Sequence, residues 1–241
     1  MILAGVDLAW QSENNPSAIA CGKLNSKILT VNEIEPAIYG VESVLAFLYG
    51  VEELSGIAVD APLIINNQTG QRDCENQIGR VYGARHASCH TSNTTLYPEA
   101  RSVQLSEALV KNGFDHLGNN KWLIECYPHP AIIEIFGLPE RLKYKKGSVA
   151  ERKSGQQTLA ELILDLRKST ILKLVVDECV SQVLNYNYIN ALRGQKLKSN
   201  EDALDAIVCL YIAGLYAIKH DGRTCGDVGA GYVWIPNGMC I

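Results

Sequence analysis

The sequence predicts an α/β fold, a mixed five-stranded sheet with flanking helices. Three observations lead there. The chain opens on three β-rich runs, then one amphipathic helix and a short apolar strand, so it reads β-β-β-α-β rather than the repeated βαβ of a dinucleotide-binding domain. Neither G-x-G-x-x-G nor G-x-x-x-x-G-K-[ST] occurs. The last long helical stretch is apolar almost all round, as a helix buried against a sheet must be.

Each element has a local reason. Residues 1–8 (MILAGVDL) are a compact apolar run suited to a central strand. Runs 18–24 and 28–34 follow, with Asn25-Ser26-Lys27 between them as a hairpin turn. Val41, Val44, Leu45 and Leu48 fall at i, i+3, i+4 and i+7, the stripe of a helix. Residues 56–60 (GIAVD) form a fourth strand, ended by Pro62. Cys74, Ile78 and Val81 imply a helix, 84–98 a polar loop and 99–112 another helix. Residues 122–126 (WLIEC) form the fifth strand, broken by Tyr127-Pro128-His129-Pro130. A basic connector covers 139–155. Leu159, Leu162, Ile163 and Leu166 mark one helix, and Leu172, Val175, Val176 and Cys179 another. The final helix starts near Ser199 or Asn200, both good N-caps, and runs to about Ile218. One domain over 1–241 is expected, with helical and loop insertions around 62–120 and 139–198.

With 241 residues, 47% hydrophobic, the chain can bury a substantial core. A formal net charge of −4 sets up no global field for nucleic acid, so any such binding needs a local basic patch. No stretch approaches the roughly eighteen apolar residues of a membrane span. The opening MILAGV is too short for a signal-peptide core and lacks a basic flank, so a soluble cytoplasmic protein is expected. The eight cysteines (Cys21, Cys74, Cys89, Cys126, Cys179, Cys209, Cys225 and Cys240) are scattered without a C-x-x-C. They read as structural thiols rather than metal ligands or disulfides.

Asp7 and Asp60 end strands that are otherwise almost wholly apolar. An ionised carboxylate there loses solvation unless it is paired or binds a metal. The competing reading is that each accepts backbone N–H groups from the following turn. Asp202 and Asp205 stand at i and i+3 in the buried helix, on one face that continues to Cys209 and Ile212. Complementing the helix dipole accounts for Glu201 and Asp202 but less well for Asp205. Four such carboxylates would repel one another, and a hard divalent cation, Mg²⁺ or Mn²⁺, relieves that repulsion.

The residues at this point resemble the RNase H-like superfamily, its RuvC-type junction resolvases most closely. More narrowly they resemble an uncharacterised family of predicted nucleases with that fold, domain of unknown function family 429. The resemblance rests on GVDLAW at 5–10, VDAP at 59–62, Arg72 with Cys74-Glu75 and Arg80, ECYP at 125–128, YKK at 144–146, DALDA at 202–206 and WIP at 234–236. It implies a nuclease site at Asp7, Asp60, Asp202 and Asp205, with Glu125 as an auxiliary ligand or substrate contact. Glu75 stands where the resemblance implies Asp.

Basic residues follow the acids. Arg72, Arg80, Arg85, His86 and His90 flank the loop after the fourth strand. Lys143, Lys145, Lys146, Arg152 and Lys153 cluster after the fifth. Phosphate contacts are expected from Arg72, Arg80, Lys145 and Arg152, against the plainer reading of solvated surface. His86 and His90 have a helical ligand spacing but sit in a loop-like stretch. His129 is either a proton shuttle beside Glu125 or a turn-packing residue.

The leading expectation is two-metal hydrolysis of DNA or RNA, with Asp7 bridging, Asp60 and Asp205 each holding an ion and Asp202 ligating or orienting water. An actin-like or sugar-kinase-like phosphohydrolase is the second reading, although QSENNPS after Asp7 has none of the glycines that hold nucleotide phosphates. A non-catalytic binding protein is the third. Oligomeric state, homodimer included, is left open by the sequence.

Overall fold

The structure, a computed structural model, describes residues 1–12 and 14–238; Cys240 lies outside them. Its elements in order are β1 (Ile2–Asp7), β2 (Ser17–Asn25), β3 (Ile28–Ile38), α1 (Val41–Gly50), β4 (Leu54–Asp60), α2 (Asp73–Tyr82), α3 (Arg101–Lys111), β5 (Asp115–His116) and β6 (Trp122–Glu125). Then come α4 (Pro128–Phe136), α5 (Val149–Asp165), β7 (Lys173–Val176), α6 (Tyr186–Ala191), α7 (Gly194–Ala217), β8 (Gly222–Asp227) and β9 (Gly231–Pro236). The fold is mixed α/β.

A seven-stranded sheet runs β5-β6-β4-β1-β2-β3-β7, and β8 and β9 form a separate antiparallel hairpin. β2 is antiparallel to both neighbours, whereas β1 with β4, β4 with β6, β5 with β6 and β3 with β7 are parallel. Side chains alternate across a strand. Leu3 of β1 and Ala58 of β4 pack into the core formed with α4, α5 and α7, while Ala4, Val6, Ile57 and Val59 pack against α1 and α3. By the same alternation, Asp7 and Asp60 emerge on the α7 face.

Five sequence expectations need correction. The main sheet has seven strands rather than five, because two short edge strands, β5 and β7, add to it. The stripe Leu172, Val175, Val176 and Cys179 is no helix. Leu172 and Leu174 are buried while Lys173 and Val175 are exposed, the period of a strand, and β7 pairs with β3. The connector 139–155 contains the start of α5, where Ser148 and Glu151 form a reciprocal capping box. Helix α7 begins at Gly194, earlier than Ser199. In α2 the buried residue is Tyr82, and Val81 is exposed.

All seven described cysteines are free thiols, five of them buried. Among the described residues no helix is long and apolar enough to cross a membrane.

Candidate acidic site at the strand ends

Asp7 and Asp60 are paired positions at the C-terminal ends of adjacent parallel strands, so their Cα atoms stand about 4.8 Å apart. Helix α7 crosses β1 directly beneath them. A Cβ on Gly5 would lie 2.0 Å from the Leu210 nitrogen and 2.3 Å from the Ala206 oxygen. Only glycine allows that approach, and it brings the first buried turns of α7, with Asp202 and Asp205, up to the end of β1.

The aspartates converge around cations supplied by the chain. Asp202 lies close enough to Asp7 for its charge to disfavour ionisation of that carboxyl. Burial first, and then the neighbouring aspartates, push the Asp7 carboxyl well above the ordinary carboxylate range, against the pull of Lys145. Burial, again with repulsion from Asp205 and Glu125, raises Asp60 to about 7. Asp202 is also raised by burial, although Lys198 Nζ sits 2.6 Å from it and lowers it in part.

Asp205, fully buried, receives the Tyr144 hydroxyl on Oδ1 at 2.6 Å and the Lys145 ammonium beside Oδ2 at 2.6 Å. Burial disfavours the charge on Lys145, but Asp205, Tyr144, Asp7 and Asp60 together hold its pKa well above the usual value. This ammonium is the common cationic neighbour of Asp205, Asp7 and Asp60. Among the described residues no three His, Cys, Asp or Glu side chains are arranged to hold a metal ion as they stand.

The loop carrying Tyr144 and Lys145 is seated by α5, where a Cβ on Gly155 would lie 2.0 Å from the Lys143 oxygen. Between this loop and the strand ends lies a cavity of about 480 Å³, with Asp7 and Asp60 in its floor and Arg141, Lys143 and Lys146 in its wall. A smaller neighbour of about 90 Å³ shares Trp10, Asp60, His90 and Tyr127 with it.

A family model described as "Protein of unknown function (DUF429)" matches residues 5–226, a span that includes all four aspartates and Lys145. The chain belongs to the DUF429 family. No curated protein and no solved structure matches it.

In this DUF429 member the remaining expected residues fall into distinct places. Glu125 ends β6 beside β4 but is engaged in a buried ion network. Arg72 grips it through Nη1 and Nη2 at 2.9 and 2.6 Å, and the Leu63 N–H donates to it at 2.8 Å. Arg72 also donates through Nε to Glu75 at 2.9 Å, and Glu75 accepts from Ser92. The guanidinium of Arg72 is thus committed to two glutamates, and the expected phosphate contact gives way to a structural one. Arg80 is exposed in the last turn of α2 and lines neither cavity. Arg152 pairs with Glu201 at 3.1 Å, next to the acids but not in the cavity.

Of the phosphate candidates, Lys145 is the one that reaches the acids. His86 is exposed and lies 3.7 Å from Glu140, while His90 lines both cavities, so the two do not form a ligand pair. His129 is buried against Tyr144 and Tyr127, and burial lowers its pKa to about 3. That favours the packing role.

The sequence reading does not single out Lys198, and it contains Trp10 and Tyr144 only inside the signatures GVDLAW and YKK, with no role of their own. Lys198 was detectable, because Lys198 and Asp202 are four apart on one helix. Tyr144 and Trp10 carried no periodic or charge signal.

Proposed function

We propose that this protein is a divalent-metal-dependent hydrolase of nucleic-acid phosphodiester bonds on an RNase H-like fold. One observation carries the reading. Asp7, Asp60, Asp202 and Asp205, nearly two hundred residues apart at the extremes, meet at the C-terminal ends of parallel strands beneath a cationic loop. The order β3-β2-β1-β4-β6, antiparallel only at β2, with α7 across it, supports the RNase H-like resemblance.

The donor set fits a hard cation. It is all oxygen, it is desolvated, and its crowded carboxyl groups disfavour one another's charge, with Lys145 paired to Asp205. Asp7, Asp60, Asp202 and Asp205 would hold Mg²⁺ or Mn²⁺, which when bound would activate water and stabilise the leaving oxygen. The chain's own groups do the rest. Tyr144 and Lys145 fix the orientation of Asp205, and Arg141, Lys143 and Lys146 present positive charge to a phosphate entering the cavity. The pairing of Arg72 with Glu125 braces the strand end beside Asp60.

One observation favours a second reading. The Lys145 ammonium already compensates Asp205, which suits a binding protein that works without metal. Incubation with Mn²⁺ and single-stranded, duplex and branched substrates separates the two readings. Cleavage that Asp7→Asn abolishes supports the hydrolase. Absence of both cleavage and calorimetric Mn²⁺ binding at millimolar concentration supports the binding protein.

A further inference from the structure

Trp10 lies three residues beyond Asp7 and lines both the main cavity and its smaller neighbour. It is half-buried, whereas the other two tryptophans, Trp122 and Trp234, are 1% and 5% exposed in the core. Its ring packs edge-on with Tyr97, with centroids 4.5 Å apart at 62°, and Gln11 donates to the Tyr97 hydroxyl at 3.2 Å. Tyr127, also half-buried, joins it in lining both cavities. A braced indole beside an open space is a surface on which a flat heterocycle stacks.

The same space carries the complementary charges. Arg141, Lys143 and Lys146 stand in the wall and Asp7 and Asp60 in the floor. A cavity of about 480 Å³ has the size of a small-ligand site and is far narrower than a double helix. Aromatic stacking needs an exposed base face, which a paired base inside a duplex does not offer.

We infer that Trp10, with Tyr127, is a base-stacking subsite that admits one unpaired nucleotide, placing its phosphate between the Arg141–Lys146 wall and the aspartates. This rests on the proposed phosphodiester chemistry and names its substrate class, an unpaired nucleoside phosphate, either free or within a single strand. Trp10 orients this substrate, and the aspartates, not the indole, stand at the reacting phosphate.

Because Trp10 is the tryptophan at the cavity, its fluorescence reports occupancy directly. The protein is titrated in EDTA, so that no metal and no turnover enter the result, with thymidine monophosphate, a short oligothymidylate, a blunt duplex and inorganic phosphate. Affinities for Trp10→Ala and Trp10→Phe are measured by anisotropy of the labelled oligothymidylate and by its displacement with the unlabelled probes. Quenching by the nucleotide or the single strand, with affinity roughly ten- to a hundredfold weaker in Trp10→Ala and largely kept in Trp10→Phe, is expected. Equal binding of mononucleotide and oligonucleotide points to a free nucleotide, and tighter binding of the oligonucleotide to a strand. Unchanged affinity in Trp10→Ala, duplex binding as tight as the single strand, or no binding of either nucleotide probe overturns the subsite. A protein that binds the single strand in this way but cleaves nothing with Mn²⁺ keeps the subsite and loses the hydrolase.

Discussion

The ammonium of Lys145 lies 2.6 Å from Oδ2 of Asp205, the carboxylate whose other oxygen takes the Tyr144 hydroxyl. A lysine side chain therefore supplies, from a loop more than fifty residues earlier, the positive charge that the aspartate cluster requires. Under the proposed function, a metal ion and this lysine would compete for one set of oxygens.

Lys145→Met is expected to leave Asp205 without its counter-ion and to lower the melting temperature of the metal-free protein, by the equivalent of about 2–4 kcal/mol. Mn²⁺ should restore more stability to this variant than to the wild type, because no internal cation opposes it. Thermal unfolding with and without Mn²⁺ checks both. An equal Mn²⁺ shift in the two proteins would mean that the ion and the lysine do not compete.

Asp60 carries a second prediction, about pH. Its pKa is raised to about 7 in the fold from 3.8, so between these values the native state holds a proton that the unfolded chain has lost. Stability from this group falls as pH rises from about 4 to about 7. Asp60→Asn removes the effect. The variant should be more stable than wild type at pH 7 by roughly 2–3 kcal/mol, with the advantage gone near pH 4. Denaturant titrations of both proteins across that range show whether the gap closes.

His129 acts in the opposite sense. Burial lowers its pKa from 6.5 to about 3, so below pH 6.5 the unfolded chain takes up a proton that the native state refuses, and stability is lost as pH falls. His129→Phe should gain on the wild type by about 3 kcal/mol between pH 6.5 and pH 4. The difference between the two stability curves isolates this effect from that of the aspartates. A flat difference would mean that His129 accepts its proton in place.

Arg72 joins Glu75 and Glu125 inside the fold, with the side chains at 3%, 1% and 4% exposure. Arg72→Met is expected to cost about 3–5 kcal/mol, since two buried carboxylates lose their partner. Arg72→Lys should fail to recover it, because an ammonium cannot repeat the two-pronged grip on Glu125. Urea unfolding of both variants measures the loss. Wild-type stability with weakened nucleic-acid binding would return Arg72 to a phosphate role.

The parts of the molecule that were legible in the sequence are those where one local pattern decides the outcome. β1, β2, β3, α1 and β4 follow from short apolar runs and a single helical stripe. The aspartates stood out because a charge at the end of an apolar strand has few explanations. The stretch that forms β7 is ambiguous because Leu172, Val175 and Val176 satisfy a helical spacing while Leu172, Leu174 and Val176 satisfy an alternating one, and only pairing with β3 decides between them. The commitment of Arg72 was hidden for a different reason, since its partner Glu125 is fifty-three residues away. The Ser148–Glu151 cap of α5 is written in the sequence, but the surrounding basic residues mask the start of the helix.

Gly155 extends the consequences of the loop's seat on α5. With a methyl group there the carbonyl of Lys143 has nowhere to go, so Gly155→Ala would lift Tyr144 and Lys145 away from Asp205 while every charge in the protein stayed as it was. The strength of the internal cation's hold on the acids is thus set from the far side of the loop. Under the proposed function, an uncharged position outside the pocket would tune how readily an incoming ion takes its place.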